Sequence, residues 1–238
     1  MQITEELKAV IDTLIQDENV ISVSLIGAAA DEVPLVLNRL RDLDLLVVRS
    51  GEEPFTREVR DHDGLPLDIS YVSLNDLERI SQKDNHQWVR ILAKSKNIYK
   101  RNGDATPFFQ RARDIYFDGP DALTLEDINH CRFVLTHLFE DLAARGENSE
   151  MEGEFLAGLF LLEALRIYFK INNAWVPRDK KLLKALFQTD LILYELVKCT
   201  LKEKKLKKKI NSCRDILHYI LKPYGGILER WEKGVYPL

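Results

Sequence analysis

Short apolar runs and amphipathic stripes alternate along the first half of the chain. Apolar side chains between residues 5 and 15 recur at helical spacing, which predicts an amphipathic helix. The β-branched run at residues 20–26 and the apolar run at residues 43–48 have the length and composition of buried strands. Gly27 ends the first of these runs. The pattern therefore predicts a helix followed by two buried strands.

A β-hairpin is predicted next, from residues 55–60 and 65–72. These alternating segments flank the sequence Asp-His-Asp-Gly, and Asp-Gly in that setting is a strong hairpin signal. Ser73 is a suitable N-cap for a helix over residues 74–80. One further short strand is predicted at residues 98–100, ahead of an Asn-Gly turn.

The pattern becomes helical after Gly119. Thr124 and Asp127 have the spacing of a capping box at a helix start. Residues 154–171 are apolar nearly all round, which predicts a helix at the centre of a bundle. Two more helices are predicted at roughly 180–202 and 207–222. We therefore expect an α+β protein, with an α/β domain containing a mixed sheet at residues 1–117 and a helical bundle at residues 118–238.

Composition supports an ordered protein and narrows its partners. The chain has 238 residues, of which 45% are hydrophobic and 30% are charged, so a sizeable core is expected. The net charge of −4 argues against a protein that coats nucleic acid. Three cysteines without metal-ligand spacing suit a reducing, cytoplasmic setting. We expect no secretory signal and no membrane span.

The pattern of carboxylates is the strongest chemical feature of the sequence. Asp42 and Asp44 are two apart at the head of a strand, so they project together, and Asp68 lies inside another apolar strand. If the two strands are neighbours, three like charges converge, and divalent cations such as Mg²⁺ would relieve their repulsion. Two such ions can stabilise an in-line phosphoryl displacement. The alternative is that these aspartates are ordinary turn or cap residues.

The order of strand, glycine turn, Asp-x-Asp strand, hairpin and acidic strand resembles the nucleotidyltransferase superfamily, which includes DNA polymerase beta and kanamycin nucleotidyltransferase. The resemblance implies that Asp42, Asp44 and Asp68 are catalytic and bind two Mg²⁺ ions. It also implies that Gly27 and Ala28 contact a nucleoside triphosphate. The family has serine where this chain has Ala28, and the lost hydrogen bond would weaken nucleotide binding by ~1.5–3 kcal/mol.

Four further residues are candidates for this site. Arg39, Arg41 and Arg132 are candidate nucleotide-binding residues, since arginine pairs well with phosphate; solvated loop charges are the alternative for the first two. Glu163, in an apolar helix, is a candidate general base with a raised pKa. The preferred alternative for Glu163 is an ion pair with Arg166, one helical turn further on.

The expected function is a Mg²⁺-dependent transfer of a nucleoside monophosphate from a triphosphate such as ATP to a hydroxyl acceptor, with release of pyrophosphate. The helical half resembles domains that supply acceptor contacts in antibiotic nucleotidyltransferases, which implies an aminoglycoside-like small molecule. We expect a monomer or homodimer. The alternative is a catalytically degenerate regulatory or antitoxin-type module that binds a protein or RNA.

A lysine cluster at residues 202–209 leaves the second of these functions open. Such a cluster can contact RNA or an acidic partner. The preferred interpretation is a solvated loop whose lysines gather near a helix C-terminus, since no aromatic residues are interleaved to stack on bases.

Overall fold

The computed structural model describes residues 5–31, 40–62 and 64–230. The chain folds into two compact units, Met1–Asp118 and Gly119–Leu238. The first unit holds a mixed five-stranded sheet and the second is helical. The α+β class expected from the sequence is confirmed.

The first unit contains five helices and five strands in its described part. In chain order they are α1 (Glu5–Leu14), β1 (Val20–Leu25), α2 (Gly27–Asp31), β2 (Leu43–Arg49), β3 (Thr56–His62), β4 (Leu65–Ser73), α3 (Leu74–Ile80), α4 (His86–Lys94), β5 (Lys96–Lys100) and α5 (Thr106–Asp118). The predicted hairpin is confirmed as β3 and β4. Ser73 caps α3 as predicted, because its hydroxyl accepts a hydrogen bond from the Asp76 N–H. Helices α4 and α5 were not predicted.

The sheet has the strand order β3-β4-β2-β1-β5. Strands β2 and β4 are parallel neighbours, and every other neighbouring pair is antiparallel. The parallel pairing matters for the site, because it fixes which residues of the two acidic strands lie side by side. In this register Asp44 is the partner of Asp68.

Both faces of the sheet are covered by apolar side chains. Helix α1 packs on one face with Leu43, Leu45 and Val47, and α3 to α5 supply the core on the other face with Leu46 and Val48. Side chains alternate between the faces of a strand. Asp44 therefore shares the face of Leu46 and Val48.

The second unit consists of five α-helices and two short 3₁₀ turns in its described part. They are α6 (Leu125–Gly146), α7 (Glu150–Ile171), a 3₁₀ turn (Asp179–Lys181), α8 (Leu182–Thr189), α9 (Leu191–Lys202), α10 (Leu206–Leu221) and a second 3₁₀ turn (Lys222–Tyr224). The predicted capping box of α6 is confirmed, with Thr124 and Asp127 bonding reciprocally.

Two predictions for the helical unit were wrong in detail. The single helix expected over 180–202 is two helices, because Asp190 ends α8 and its carboxylate accepts the Leu193 N–H at the start of α9. Helix α7 is not buried all round. Phe155 and Leu159 are exposed on one side, while Phe160 and Leu165 lie in the core.

Candidate functional site

A glycine turn joins β1 to α2 and lies directly against Asp44. Gly27 has a φ of +66°, a backbone conformation that glycine adopts without strain. A Cβ at this position would lie 2.9 Å from the Asp44 Cγ, so no side chain fits there. The Ile26 N–H also donates to the Asp44 carbonyl at 3.0 Å. The turn and the Asp-x-Asp strand are therefore in contact.

Asp44 and Asp68 lie side by side on the same face of the sheet. They are partners in the parallel register of β2 and β4, and neighbouring strands are ~4.8 Å apart. Two carboxylates on the same face of neighbouring strands repel each other unless a positive charge lies near them. Convergence of these two strands was the condition on which the predicted site depended.

The positive charge beside Asp68 comes from Arg57 on β3. The Arg57 Nε donates to Asp68 Oδ1 at 2.6 Å, and its Nη2 donates to Oδ2. The Asp68 side chain is 16% exposed and that of Arg57 59%. This bidentate pair lowers the pKa of Asp68, so Asp68 is a weaker base than an ordinary aspartate.

Arg57 is a site residue that sequence reasoning missed. In the hairpin, Val59 is the partner of Asp68 and Arg57 the partner of Ser70, so Arg57 reaches Asp68 diagonally across the sheet face. A basic residue in the strand before an acidic one was a readable signal. The exact hairpin register was needed to use it.

The donor set fits the predicted metal ions only in part. Among residues 5–31, 40–62 and 64–230, no three His, Cys, Asp or Glu side chains form a group that could hold a metal ion. Asp42 and Asp44 offer the hard oxygen ligands that Mg²⁺ takes. Asp68 instead has Arg57 on both of its carboxylate oxygens. The roles of the three aspartates as metal ligands stay predictions, and the arrangement does not match a site in which all three share two ions.

The other residues predicted for this site have simple surroundings. Asp42 is half-buried in the bend just before β2, and Arg41 is exposed beside it. Ala28 is exposed as the second residue of α2, so a hydroxyl at that position would be accessible. Arg39 lies outside the described residues.

Two serine hydroxyls on the same sheet face also escaped sequence reasoning. Ser24 is the partner of Leu46 and Ser22 the partner of Val48, which places both on the face of Asp44. Both hydroxyls are buried and have no hydrogen-bond partner within the part of the chain that the structure describes. Unpaired buried hydroxyls are uncommon. Along this face, Ser24 lies one same-face position from Asp44 and Ser22 lies two.

Arg132 is engaged in holding the end of the helical unit. Its Nε donates to the Gly226 carbonyl at 2.8 Å, its Nη2 to the Gly225 carbonyl at 2.9 Å, and its Nη1 to Asn129 at 2.8 Å. Nucleotide binding by Arg132 stays a prediction, but the structure gives its guanidinium a structural role. The sequence did not suggest this role, because Arg132 and Gly226 are 94 positions apart.

Glu163 is not the buried lone carboxylate that the helix pattern suggested. Its side chain is 35% exposed and lies 3.4 Å from Arg166, which is the ion pair expected as the alternative. Arg166 also binds both carboxylate oxygens of Asp179, at 3.0 and 2.9 Å. This network ties the turn after α7 to the helix. A base role for Glu163 stays a prediction, without the deep burial from which it was argued.

The lysine cluster does not follow the helix dipole as expected. Lys202 ends α9, where a positive charge is favourable, but Lys207 and Lys208 are exposed in the first turn of α10. Lys209, beside them, forms an ion pair with Glu154. The predicted solvated loop near a helix C-terminus therefore holds for Lys202, Lys204 and Lys205, whereas the lysines from 207 onward belong to α10.

Comparison with known proteins identifies the class of fold. No family model matches this sequence, and no curated protein matches it. Among solved structures, 11 chains match. One is a nucleotidyltransferase-like protein from Exiguobacterium sibiricum 255-15, with 15% identity, a TM-score of 0.51, and coverage of 92% of this chain and 74% of that chain. The chain therefore has a nucleotidyltransferase-like fold, as the resemblance of its motifs implied.

A separate observation concerns membranes. In the described ranges, no helix has the length and apolar character needed to cross a bilayer.

Proposed function

We propose that this chain binds a nucleoside triphosphate and transfers its nucleoside monophosphate to the hydroxyl of a small-molecule acceptor. The observation that carries this proposal is the contact between the Gly27 turn and Asp44. A turn of this kind offers backbone N–H groups to a phosphate. Because Asp44 lies against it, a bare triphosphate would meet a negative charge there. The geometry therefore favours a phosphate that arrives with a divalent cation.

The proposed reaction forms one bond and breaks one. The acceptor oxygen bonds to the α-phosphorus, the bond from that phosphorus to the bridging oxygen breaks, and pyrophosphate leaves with the electron pair. Mg²⁺, when bound, would neutralise phosphate charge during this step. We assign the hydroxyl proton to the Asp42–Asp44 pair, because Arg57 holds both oxygens of Asp68.

Unpaired cysteines suit the cytoplasm as the place of this activity. Cys131, Cys199 and Cys213 are all free. Free thiols are typical of a reducing compartment.

The proposal is tested by calorimetric titration of the four common nucleoside triphosphates in the presence and absence of Mg²⁺. The test variant is Asp42→Asn with Asp44→Asn. A matched control is Glu5→Gln with Glu6→Gln, which removes the same charge from exposed positions in the first turn of α1. We expect Mg²⁺-dependent binding in the wild type and control and its loss in the aspartate variant. Absence of binding for all four triphosphates would contradict the proposal.

A second candidate function is a catalytically degenerate module that regulates a protein or RNA partner. The Arg57–Asp68 pair and the missing hydroxyl at Ala28 favour it. The variant Ala28→Ser separates the two candidates. At a working nucleotide site it should strengthen binding roughly 10- to 150-fold, since a hydrogen bond to a charged group contributes ~1.5–3 kcal/mol. Binding without pyrophosphate release, over a panel of aminoglycosides and other hydroxyl acceptors, supports the degenerate module.

A further inference from the structure

Arg57 supplies the positive charge in contact with Asp68. Its planar guanidinium bonds both carboxylate oxygens of Asp68 at once, which is the arrangement that arginine forms best with a carboxylate. Arginine keeps its charge at any ordinary pH. The guanidinium is therefore a permanent positive charge in contact with one of the two neighbouring aspartates.

The second aspartate also acts on Arg57. Asp44 is the register partner of Asp68 on the same face of the sheet, so its negative charge also attracts the Arg57 guanidinium. Arg57 thus lies within the field of both carboxylates, while its bidentate hydrogen bond goes to Asp68. A divalent ion that approached Asp68 would have to displace that hydrogen bond and would be repelled by the guanidinium.

The neighbouring arginine of the same strand does not share this position. Arg60, three residues further along β3, forms an ion pair with Glu58 at 3.5 Å. Arg57 shares the sheet face of Asp68. Arg60 is the register partner of Leu67, so it lies on the opposite face. The two arginines of β3 therefore provide a matched pair, one at the carboxylates and one away from them.

We propose that Arg57 takes the place of one divalent cation, so that the site formed by the Gly27 turn and the Asp42–Asp44 pair binds one divalent ion per nucleotide instead of two. This inference rests on the proposed nucleotide site and specifies its ion content. Arg57 acts as a built-in counter-charge for Asp68. Removal of its charge leaves Asp44 and Asp68 as adjacent carboxylates without that counter-charge, and these two residues would then hold a second ion.

The test counts Mn²⁺ ions, as stand-ins for Mg²⁺, by electron paramagnetic resonance in the presence of a non-hydrolysable ATP analogue. Wild-type protein should bind one ion per protein–nucleotide complex and Arg57→Gln should bind two. The control Arg60→Gln should bind one. Arg57→Lys keeps the positive charge and should also bind one. If Arg57→Gln folds poorly, Arg57→Met, which also removes the charge, should bind two in its place.

The failures of this inference and of the proposed function give different results. Two ions in the wild type overturn the role of Arg57 while leaving the nucleotide site intact. One ion in both the wild type and Arg57→Gln also overturns it, because Arg57 would then not be what excludes the second ion. No bound Mn²⁺ and no bound analogue in any of the proteins overturn both the inference and the proposed function.

Discussion

Two bidentate arginine–carboxylate pairs, one in each unit, have similar chemistry and different surroundings. Arg57 binds Asp68 across neighbouring strands of the sheet, and Arg166 on α7 binds Asp179 in the turn that follows that helix. The Asp68 side chain is 16% exposed, and that of Asp179 is 58% exposed. The difference in setting, not the type of interaction, separates a candidate site from a structural tie.

The surroundings of each pair show what it does. Asp68 has a second carboxylate, Asp44, as its strand neighbour, and Asp44 in turn touches the Gly27 turn. Asp179 is bound by Arg166 of the preceding helix, and the same arginine also binds Glu163 of that helix. The Arg57–Asp68 pair is a candidate for function because it lies beside a second carboxylate and a glycine turn, both of which a ligand could contact.

The largest expected effect comes from adding a side chain at Gly27. Gly27→Ala should lower the free energy of unfolding by about 3 kcal/mol, because a Cβ would collide with the Asp44 carboxylate and φ is positive. It should also abolish nucleotide binding. Urea unfolding and calorimetry measure the two effects.

The control for that experiment is Gly51→Ala. Gly51 also has a positive φ, +99°, but a Cβ there would meet nothing within 4 Å. We expect it to cost about 1 kcal/mol from backbone strain alone and to leave nucleotide binding unchanged. Equal losses in the two variants would mean that the contact with Asp44 contributes nothing.

A smaller effect is expected from the arginine that holds the end of the helical unit. Arg132→Ala should lower the free energy of unfolding by about 2 kcal/mol, because several backbone carbonyls lose their hydrogen-bond donor. Arg145→Ala, an exposed residue of the same helix, should change it by less than about 0.5 kcal/mol. Both are measured by urea unfolding. If Arg132→Ala instead left stability intact and weakened nucleotide binding, Arg132 would be a binding residue and not a structural tie of the helical unit.

The sequence predicted elements whose signals are local. The hairpin, the Ser73 cap and the Thr124–Asp127 capping box depend on residues within a few positions of one another, and all three are confirmed. The same holds for the glycine turn, because glycine directly after a buried strand is a local mark. Such signals are strong because short-range backbone hydrogen bonds determine them.

The parts that the sequence did not predict depend on distant contacts or on register. The partner of Arg57 follows from the hairpin register, where a shift of one residue would turn its side chain to the other face of the sheet. The tie from Arg132 to Gly226 spans most of the helical unit. The burial of Glu163 was overestimated because an apolar sequence does not show which side of α7 is packed.

The smallest expected effect is the pH dependence of the stability that the Arg57–Asp68 pair contributes. Arg57 lowers the pKa of Asp68, so the stability from this pair is fully present above the unfolded-state value of about 3.9 and is lost as the pH falls through the lower folded value. In urea unfolding, the wild type should therefore exceed Arg57→Gln by a constant margin from pH 7 to about pH 5. Below about pH 4 that margin should shrink, because protonated Asp68 no longer attracts Arg57. Arg60→Gln should show a smaller narrowing, because Glu58, the carboxylate of the ion pair that it breaks, is more exposed than Asp68. A margin between wild type and Arg57→Gln that persists well below the folded pKa would show that Arg57 stabilises the fold by packing and not through the Asp68 charge.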